Sequence, residues 1–392
     1  MQTVELTAAT TLPADGLAGA LVGRVWRPDV GGPSVVVARD GALFDIASAF
    51  PTTRDLCETA DPAAAARGVA GERLGGVDEI LANTPPDRRD PGRPWLIAPI
   101  DLQAIKAAGV TFAASLIERV IEERARGERA AAEAIRADFA RRVGAELASI
   151  KPGSPAAERL KQTLVDAGLW SQYLEVGIGP DAEIFTKSQP MSAVGTGADA
   201  GFLAASAWNN PEPEIVLAVN SRGAIVGATL GNDVNLRDFE GRSALLLGRA
   251  KDQNASCAIG PFLRLFDATF GLDDVRRAEV GLRVEGDDGF VLEGGSSMTA
   301  ISRDPAELVR QLFEAGRRYP DGAAFFLGTM FAPVADRDEP GKGFAHKPGD
   351  VVTVSAEKLG RLTNRMRHTQ DCPPWDFGVA ALMRNLARRG LI

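Results

Sequence analysis

The feature that most constrains the fold is a series of short apolar runs, each bounded by turn residues, over the second half of the chain. They are Glu214-Ile-Val-Leu-Ala-Val, Ala224-Ile-Val-Gly-Ala-Thr-Leu, Ala278-Glu-Val-Gly-Leu-Arg-Val and Asp350-Val-Val-Thr-Val. Runs this short and β-branched read as strands. This region is therefore β-dominated, and its helices are exceptions. One is expected after Asp304, an N-cap followed by Pro305 at the first helical position and by Glu307 completing a capping box. A last amphipathic helix is expected over Phe377 to Arg389. Upstream, about Thr111 to Ile150 carries the alternating charges of a long helical segment, which Gly127 is placed to break.

The turn-rich stretch from Asn83 to Pro94 is the clearest boundary, so residues 1–94 are expected to form a small N-terminal β or α+β domain and residues 95–392 a catalytic domain. With a net charge of −8, the chain has no cationic surface for a phosphate backbone, and nucleic acid is an unexpected partner. The N-terminus lacks the pattern of a signal peptide and no apolar run would cross a bilayer, so a cytoplasmic location without a membrane partner is expected. The three cysteines, Cys57, Cys257 and Cys372, match neither a zinc pair nor a disulfide framework and read as buried apolar side chains.

Only two histidines are present, His346 and His368, in neither an HExxH nor an HxH arrangement, and there is no GxSxG elbow. Chemistry must then come from carboxylates, lysines and hydroxyls, and oxygen ligands suit Mg²⁺, Mn²⁺ or Ca²⁺. Glu212 and Glu214 stand two apart at the head of an apolar strand, on one face, where they repel unless a cation or proton intervenes. Asp233 follows the next strand, which returns beside the first, and supplies a third carboxylate for a six-coordinate Mg²⁺ site. Lys251 is a candidate to compensate a bound anion. The glycines of Val194 to Gly201 have the wrong spacing for a dinucleotide loop and read as a turn, and the loop Glu339 to Gly349 lacks the P-loop spacing.

In order along the chain stand Ala108-Gly-Val-Thr-Phe-Ala-Ala-Ser-Leu-Ile-Glu118, Phe185-Thr-Lys187, Pro211-Glu-Pro-Glu214, Gly231-Asn-Asp-Val-Asn-Leu-Arg-Asp238, Ala250-Lys251, Ile259-Gly-Pro261, Gly294-Gly-Ser-Ser-Met298 and Leu327-Gly-Thr329. Each is weak alone, but in this order they resemble the fumarylacetoacetate hydrolase superfamily over roughly two thirds of the chain. The resemblance implies an α+β fold, a mixed β-sandwich roll with the smaller N-terminal domain before it. It also implies Mg²⁺ or Mn²⁺ on Glu212, Glu214 and Asp233, a catalytic and substrate-binding role for Lys251, substrate contacts from Gly328 and Thr329, and a homodimer or homotetramer. Hydrolytic members carry a His-Glu pair on a mobile helix; here Ser115, a candidate substrate contact, stands in the histidine's place, and Glu118 keeps the acid.

That departure, with the wording GNDVxxRDxEG, is most similar to the sugar-acid dehydratase branch, the 2-keto-3-deoxy-pentonate dehydratases. The expected activity is a hydro-lyase, a Mg²⁺-dependent dehydratase taking a 2-keto-3-deoxy sugar acid to 2-oxoglutarate semialdehyde. A 2-oxo acid offers carboxylate and keto oxygens to the cation, which acidifies its C3 proton, and Glu118 is the candidate base. A C–C bond hydrolase or decarboxylase of an acylpyruvate or 2-oxo acid, and a ligand-binding relative without turnover, remain alternatives.

Overall fold

The computed structural model describes residues 3–133, 135–136, 147, 149–314, 316–339 and 343–392. Its main element is an 11-stranded mixed sheet. From one edge it runs through Glu72–Gly76, Ala42–Asp45, Gly32–Arg39, Ala20–Arg27, Cys257–Leu265, Ile225–Asp233, Pro213–Val219, Ala323–Phe326, Ala104–Ala108 and Ile184–Ser188, with Trp95–Ile97 paired to Ala20–Arg27. A five-stranded sheet, Val291–Ser297, Glu279–Glu285, Val351–Ala356, Gly360–His368 and Asp199–Phe202, packs over it. Leu217, Leu230 and Phe325 of the large sheet share a core with Leu282, Val284, Val354 and Leu362 of the small one. This is the α+β, sheet-on-sheet arrangement expected from the chain.

The strand patterns follow from position. Every residue of Pro213–Val219 and Cys257–Leu265 is buried, because both faces of these central strands are covered, and such strands read as unbroken apolar runs. Glu279–Glu285 alternates between buried and partly exposed, as a strand with one face toward solvent does. Asp40 and Gly41 both take positive φ (51° and 72°), which two-residue hairpin turns need, and they join Gly32–Arg39 to Ala42–Asp45. The N-terminal strands meet the later ones edge to edge, Ala20 pairing with Leu265 and Val22 with Leu263, so the boundary at residue 94 falls within one continuous sheet.

Helix Ala113–Arg124 opens the long charged segment, which breaks at Arg126 and Gly127, both at positive φ. A Cβ on Gly127 would run into the Asp238 carbonyl, so glycine is required there. Of the expected continuation to Ile150, residues 134, 137–146 and 148 lie outside the described residues, as do 340–342 of the loop Glu339 to Gly349. Helix Pro305–Leu312 is capped by the Asp304 side chain, which accepts from the Ala306 N–H. Glu307 does not close the expected box; its carboxylate lies 3.8 Å from Arg303 instead. The last helix is Val379–Arg388. All three cysteines are free and buried. Among the described residues no helix is long and apolar enough to cross a membrane.

Candidate active site

Glu212 and Glu214 flank Pro213 where the strand Pro213–Val219 begins, and Asp233 ends the neighbouring strand. The register opposes Pro213 to Asn232 and Glu214 to Gly231. Two further hydrogen bonds lock the junction: Asp233 N–H to the Glu212 carbonyl and Glu212 N–H to Asn232 Oδ1, each 3.0 Å. One carboxylate oxygen from each of Glu212, Glu214 and Asp233 therefore lies within 4.8 Å of the others, and each residue is only 1% exposed. The residues read as ligands from spacing alone do converge.

Three buried carboxylates at this separation demand positive charge. Lys251 supplies part of it, its Nζ 2.5 Å from Glu212 Oε2 and 3.2 Å from Asp233 Oδ2. Arg119, from helix Ala113–Arg124, pairs with Glu212 Oε1 as well as with Glu122 and Glu240. Lys187 Nζ is 2.8 Å from Asp233 Oδ1, but its hydrogen bonds go to the carbonyls of Val234 and Lys251, so that oxygen has an ion pair and no hydrogen bond. Glu214 accepts from the Gly328 N–H at 2.7 Å and from Thr329 Oγ1 at 3.1 Å. Gly328 and Thr329, expected to touch substrate, hold this carboxylate in place, and Thr329 also lines the cleft beside the trio.

The protonation preferences follow. Burial opposes charge on Glu212, but Lys251 and Arg119 outweigh it and hold its carboxyl at about 2. Burial, then the charges of Asp233 and Glu212, push Glu214 well above the usual carboxylate range. Burial also works against the Lys251 ammonium, yet Asp233, Glu212 and Glu240 keep it protonated far beyond the ordinary lysine value. Three converging buried carboxylates, with one Asp233 oxygen that accepts no hydrogen bond, supply the all-oxygen donors a divalent cation takes. The donor set fits a hard cation such as Mg²⁺ or Mn²⁺.

The trio faces a cleft bordered by Ser115, Arg119, Glu183, Phe185 and Glu240. The free space is about 20 Å³, room for one water-sized species, so a larger ligand enters only as the cleft opens. Ser115 reaches the cleft, although its hydroxyl donates to the Phe112 carbonyl at 2.9 Å. Glu118 does not line it. Its carboxylate is held by Arg136 (2.8 and 2.9 Å) and Arg237 (2.7 Å), and these cations outweigh burial and lower its pKa. The helix turn that brings Ser115 and Arg119 to the cleft directs Glu118 to the neighbouring ion-pair network instead.

Glu183 and Glu240 escape spacing arguments. Glu183 immediately precedes strand Ile184–Ser188 and reaches the cleft because Gly109, opposite, has no Cβ; one there would collide with the Glu183 carboxylate. Burial first, then the charge of Glu240, push the Glu183 carboxyl up to about 7. Only a glycine beside an acid hints at this in sequence, and the two are 74 positions apart in the chain.

This is a sheet-sandwich protein in which three buried carboxylates, a donor set that fits a metal ion, converge at the head of paired strands. Residues 210–367 match the Fumarylacetoacetate (FAA) hydrolase C-terminal family. Over 334 residues the chain is 26% identical to a "Probable 2-keto-3-deoxyxylonate dehydratase" of Haloferax volcanii, covering 84% of this chain and 94% of that protein. It is 29% identical over 180 residues to a "2-dehydro-3-deoxy-D-arabinonate dehydratase" of Saccharolobus solfataricus, covering 46% of this chain and 57% of that protein. A solved structure described as "2-keto-3-deoxy-D-arabinonate dehydratase complexed with magnesium and 2,5-dioxopentanoate" shares the fold with a TM-score of 0.61, at 19% identity, over 89% of this chain and 99% of that one.

Proposed function

We propose that this chain is a Mg²⁺-dependent dehydratase that converts a 2-keto-3-deoxypentonate, such as 2-keto-3-deoxy-D-xylonate, into 2,5-dioxopentanoate, the semialdehyde of 2-oxoglutarate. The observation that carries this reading is the buried convergence of Glu212, Glu214 and Asp233 on a cleft that also presents Glu183, a carboxyl held at about 7. The names of the relatives support the substrate class.

Glu212, Glu214 and Asp233 hold the cation in this reading. When bound, Mg²⁺ supplies positive charge beside the carboxylate and keto oxygens of the substrate and so favours loss of a C3 proton. Lys251, protonated and 2% exposed, adds a second positive charge at the same place. Glu183 takes the C3 proton. A carboxyl near 7 is a stronger base than an ordinary glutamate and is still half ionised at neutral pH. Glu118, held ionised by two guanidinium groups outside the cleft, positions Arg237 in this scheme and does not meet substrate. Arg119 ties the helix that carries Ser115 to Glu212.

The test is to incubate the purified protein with 2-keto-3-deoxy-D-xylonate, its C4 epimer 2-keto-3-deoxy-L-arabinonate and an acylpyruvate, each with Mg²⁺, with Mn²⁺ and with EDTA, and to identify products by NMR. Metal-dependent appearance of 2,5-dioxopentanoate from a pentonate supports the reading. Cleavage of the acylpyruvate alone would assign the site to C–C hydrolysis, and no turnover of any substrate would leave a binding protein. A cytoplasmic homodimer or homotetramer belongs to the same proposal, and light scattering tests the assembly.

A further inference from the structure

Glu240 is the cleft residue whose chemistry is left over. It ends the short helix Arg237–Glu240, is 4% exposed, and borders the same cleft as Glu183 and the carboxylate trio. Its Oε1 lies 3.2 Å from Arg119 Nε, and the same guanidinium holds Glu212, so Glu240 keeps a set place relative to the cation site. Its Oε2 is fully buried and has no hydrogen-bond partner. A buried carboxyl oxygen without a partner is costly, and in a cleft it marks a place for a ligand atom.

The chemistry of the proposed reaction needs a group there. Hydroxide is a poor leaving group, so an acid must protonate the C4 oxygen as its bond to carbon breaks. The product has an aldehyde at C5, so a C5 proton must also be removed. One carboxyl at C3 cannot serve both positions.

We propose that Glu240 is a second acid–base residue of the dehydration, giving its proton to the departing C4 hydroxyl and then taking one from C5; this rests on the dehydratase reading above. The sequence balances. Glu183 takes the C3 proton reversibly and leaves its electron pair in the enolate of C2 and C3; that pair then forms the C3–C4 double bond as the C4–O pair leaves with oxygen. The proton of Glu240 completes the water. Glu240, now a carboxylate, takes a proton from C5, the electrons shift through C4 to C3, and Glu183 returns its proton to C3. The resulting 4,5-enol ketonises to the C5 aldehyde. Both carboxyls end as they began, and the net change is loss of one water. Burial and the like charges of Glu212 and Glu122 outweigh Arg119 and Lys251 and raise the Glu240 carboxyl, and because like charge on Glu240 and Glu183 disfavours ionising both, Glu240 is neutral when Glu183 is the ionised base.

The experiment uses Glu240→Gln in the Mg²⁺-loaded protein in D₂O with 2-keto-3-deoxy-D-xylonate, followed by NMR. Deuterium entering C3 reports Glu183, and 2,5-dioxopentanoate reports completion. Glutamine keeps an oxygen for Arg119 but cannot donate as an acid. The expected result is product formation down by about 10²-fold or more, with C3 exchange within severalfold of wild type. Mg²⁺ affinity by calorimetry and the thermal midpoint should stay near wild type, and formate should restore part of the turnover lost in Glu240→Ala. Product formation within tenfold of wild type, or equal loss of exchange and product without formate rescue, overturns the role of Glu240 alone. A wild-type protein that neither exchanges C3 nor forms product overturns the dehydratase reading, and this inference with it.

Discussion

Lys251→Met tests whether the buried trio is a cation site more sharply than loss of activity does. The Lys251 ammonium is 2.5 Å from Glu212 and 3.2 Å from Asp233 in a place 2% open to solvent. Removing one partner of a buried pair leaves the other charge uncompensated, at a cost of about 3–5 kcal/mol. Arg119 stays on Glu212, which places the expected loss at the lower end of that range. A divalent ion on the same oxygens would replace the missing charge and no longer be repelled by the ammonium. Mg²⁺ should therefore bind the variant at least tenfold more tightly than wild type, which is about 1.4 kcal/mol of extra stabilisation at one Mg²⁺ concentration well above both dissociation constants. Urea unfolding in EDTA and in Mg²⁺, on both proteins, measures all four corners. The expected deficit of Lys251→Met is about 3 kcal/mol in EDTA and at most about half that in saturating Mg²⁺. An equal deficit under both conditions would refute the reasoning, because the lysine and the metal would then not be meeting the same carboxylates.

Other expectations follow from the cleft walls. Because Glu183 must be ionised to accept a proton and its carboxyl is raised to about 7 by burial and Glu240, kcat/KM should fall tenfold per pH unit below that value. Glu183→Gln should lose about 10²–10⁴-fold in kcat. The sign for stability is opposite. A raised carboxyl favours the folded state below its unfolded value and loses that contribution as pH rises through about 7, so Glu183→Gln should melt higher than wild type above neutral pH. Gly109→Ala places a methyl group where the Glu183 carboxylate lies and should reduce kcat by about 10²-fold while leaving the unfolding midpoint close to wild type. Glu118→Gln removes the carboxylate shared by Arg136 and Arg237 and should cost about 3 kcal/mol in denaturant unfolding with the pH midpoint of kcat/KM unmoved. A shifted or abolished pH limb in that variant would return Glu118 to the role of base.

Local pattern carries a definite part of this protein. Two glutamates either side of a proline at a strand head must share a face, since strand side chains alternate, and an aspartate ending the hairpin partner must come beside them. The carboxylate trio is therefore legible in the chain itself, as are the buried central strands, the Asp40-Gly41 hairpin, the break at Gly127 and the cap at Asp304. Gly328 and Thr329 are also found by motif, but their contact, the Glu214 carboxylate, is made across two strands and has no local signature. Which carboxyl of the remaining acids meets the cleft depends on where whole elements pack. Glu118 stands one position from Arg119 on the same helix, yet the rotation of that helix gives Arg119 to the cleft and Glu118 to Arg237. Glu183 enters only because Gly109 leaves space for it. Helical phase and the room left by a missing side chain arise from long-range packing, so tertiary structure alone decided which further acids line the cleft, whereas the converging trio Glu212, Glu214 and Asp233 was written in alternation along two neighbouring strands.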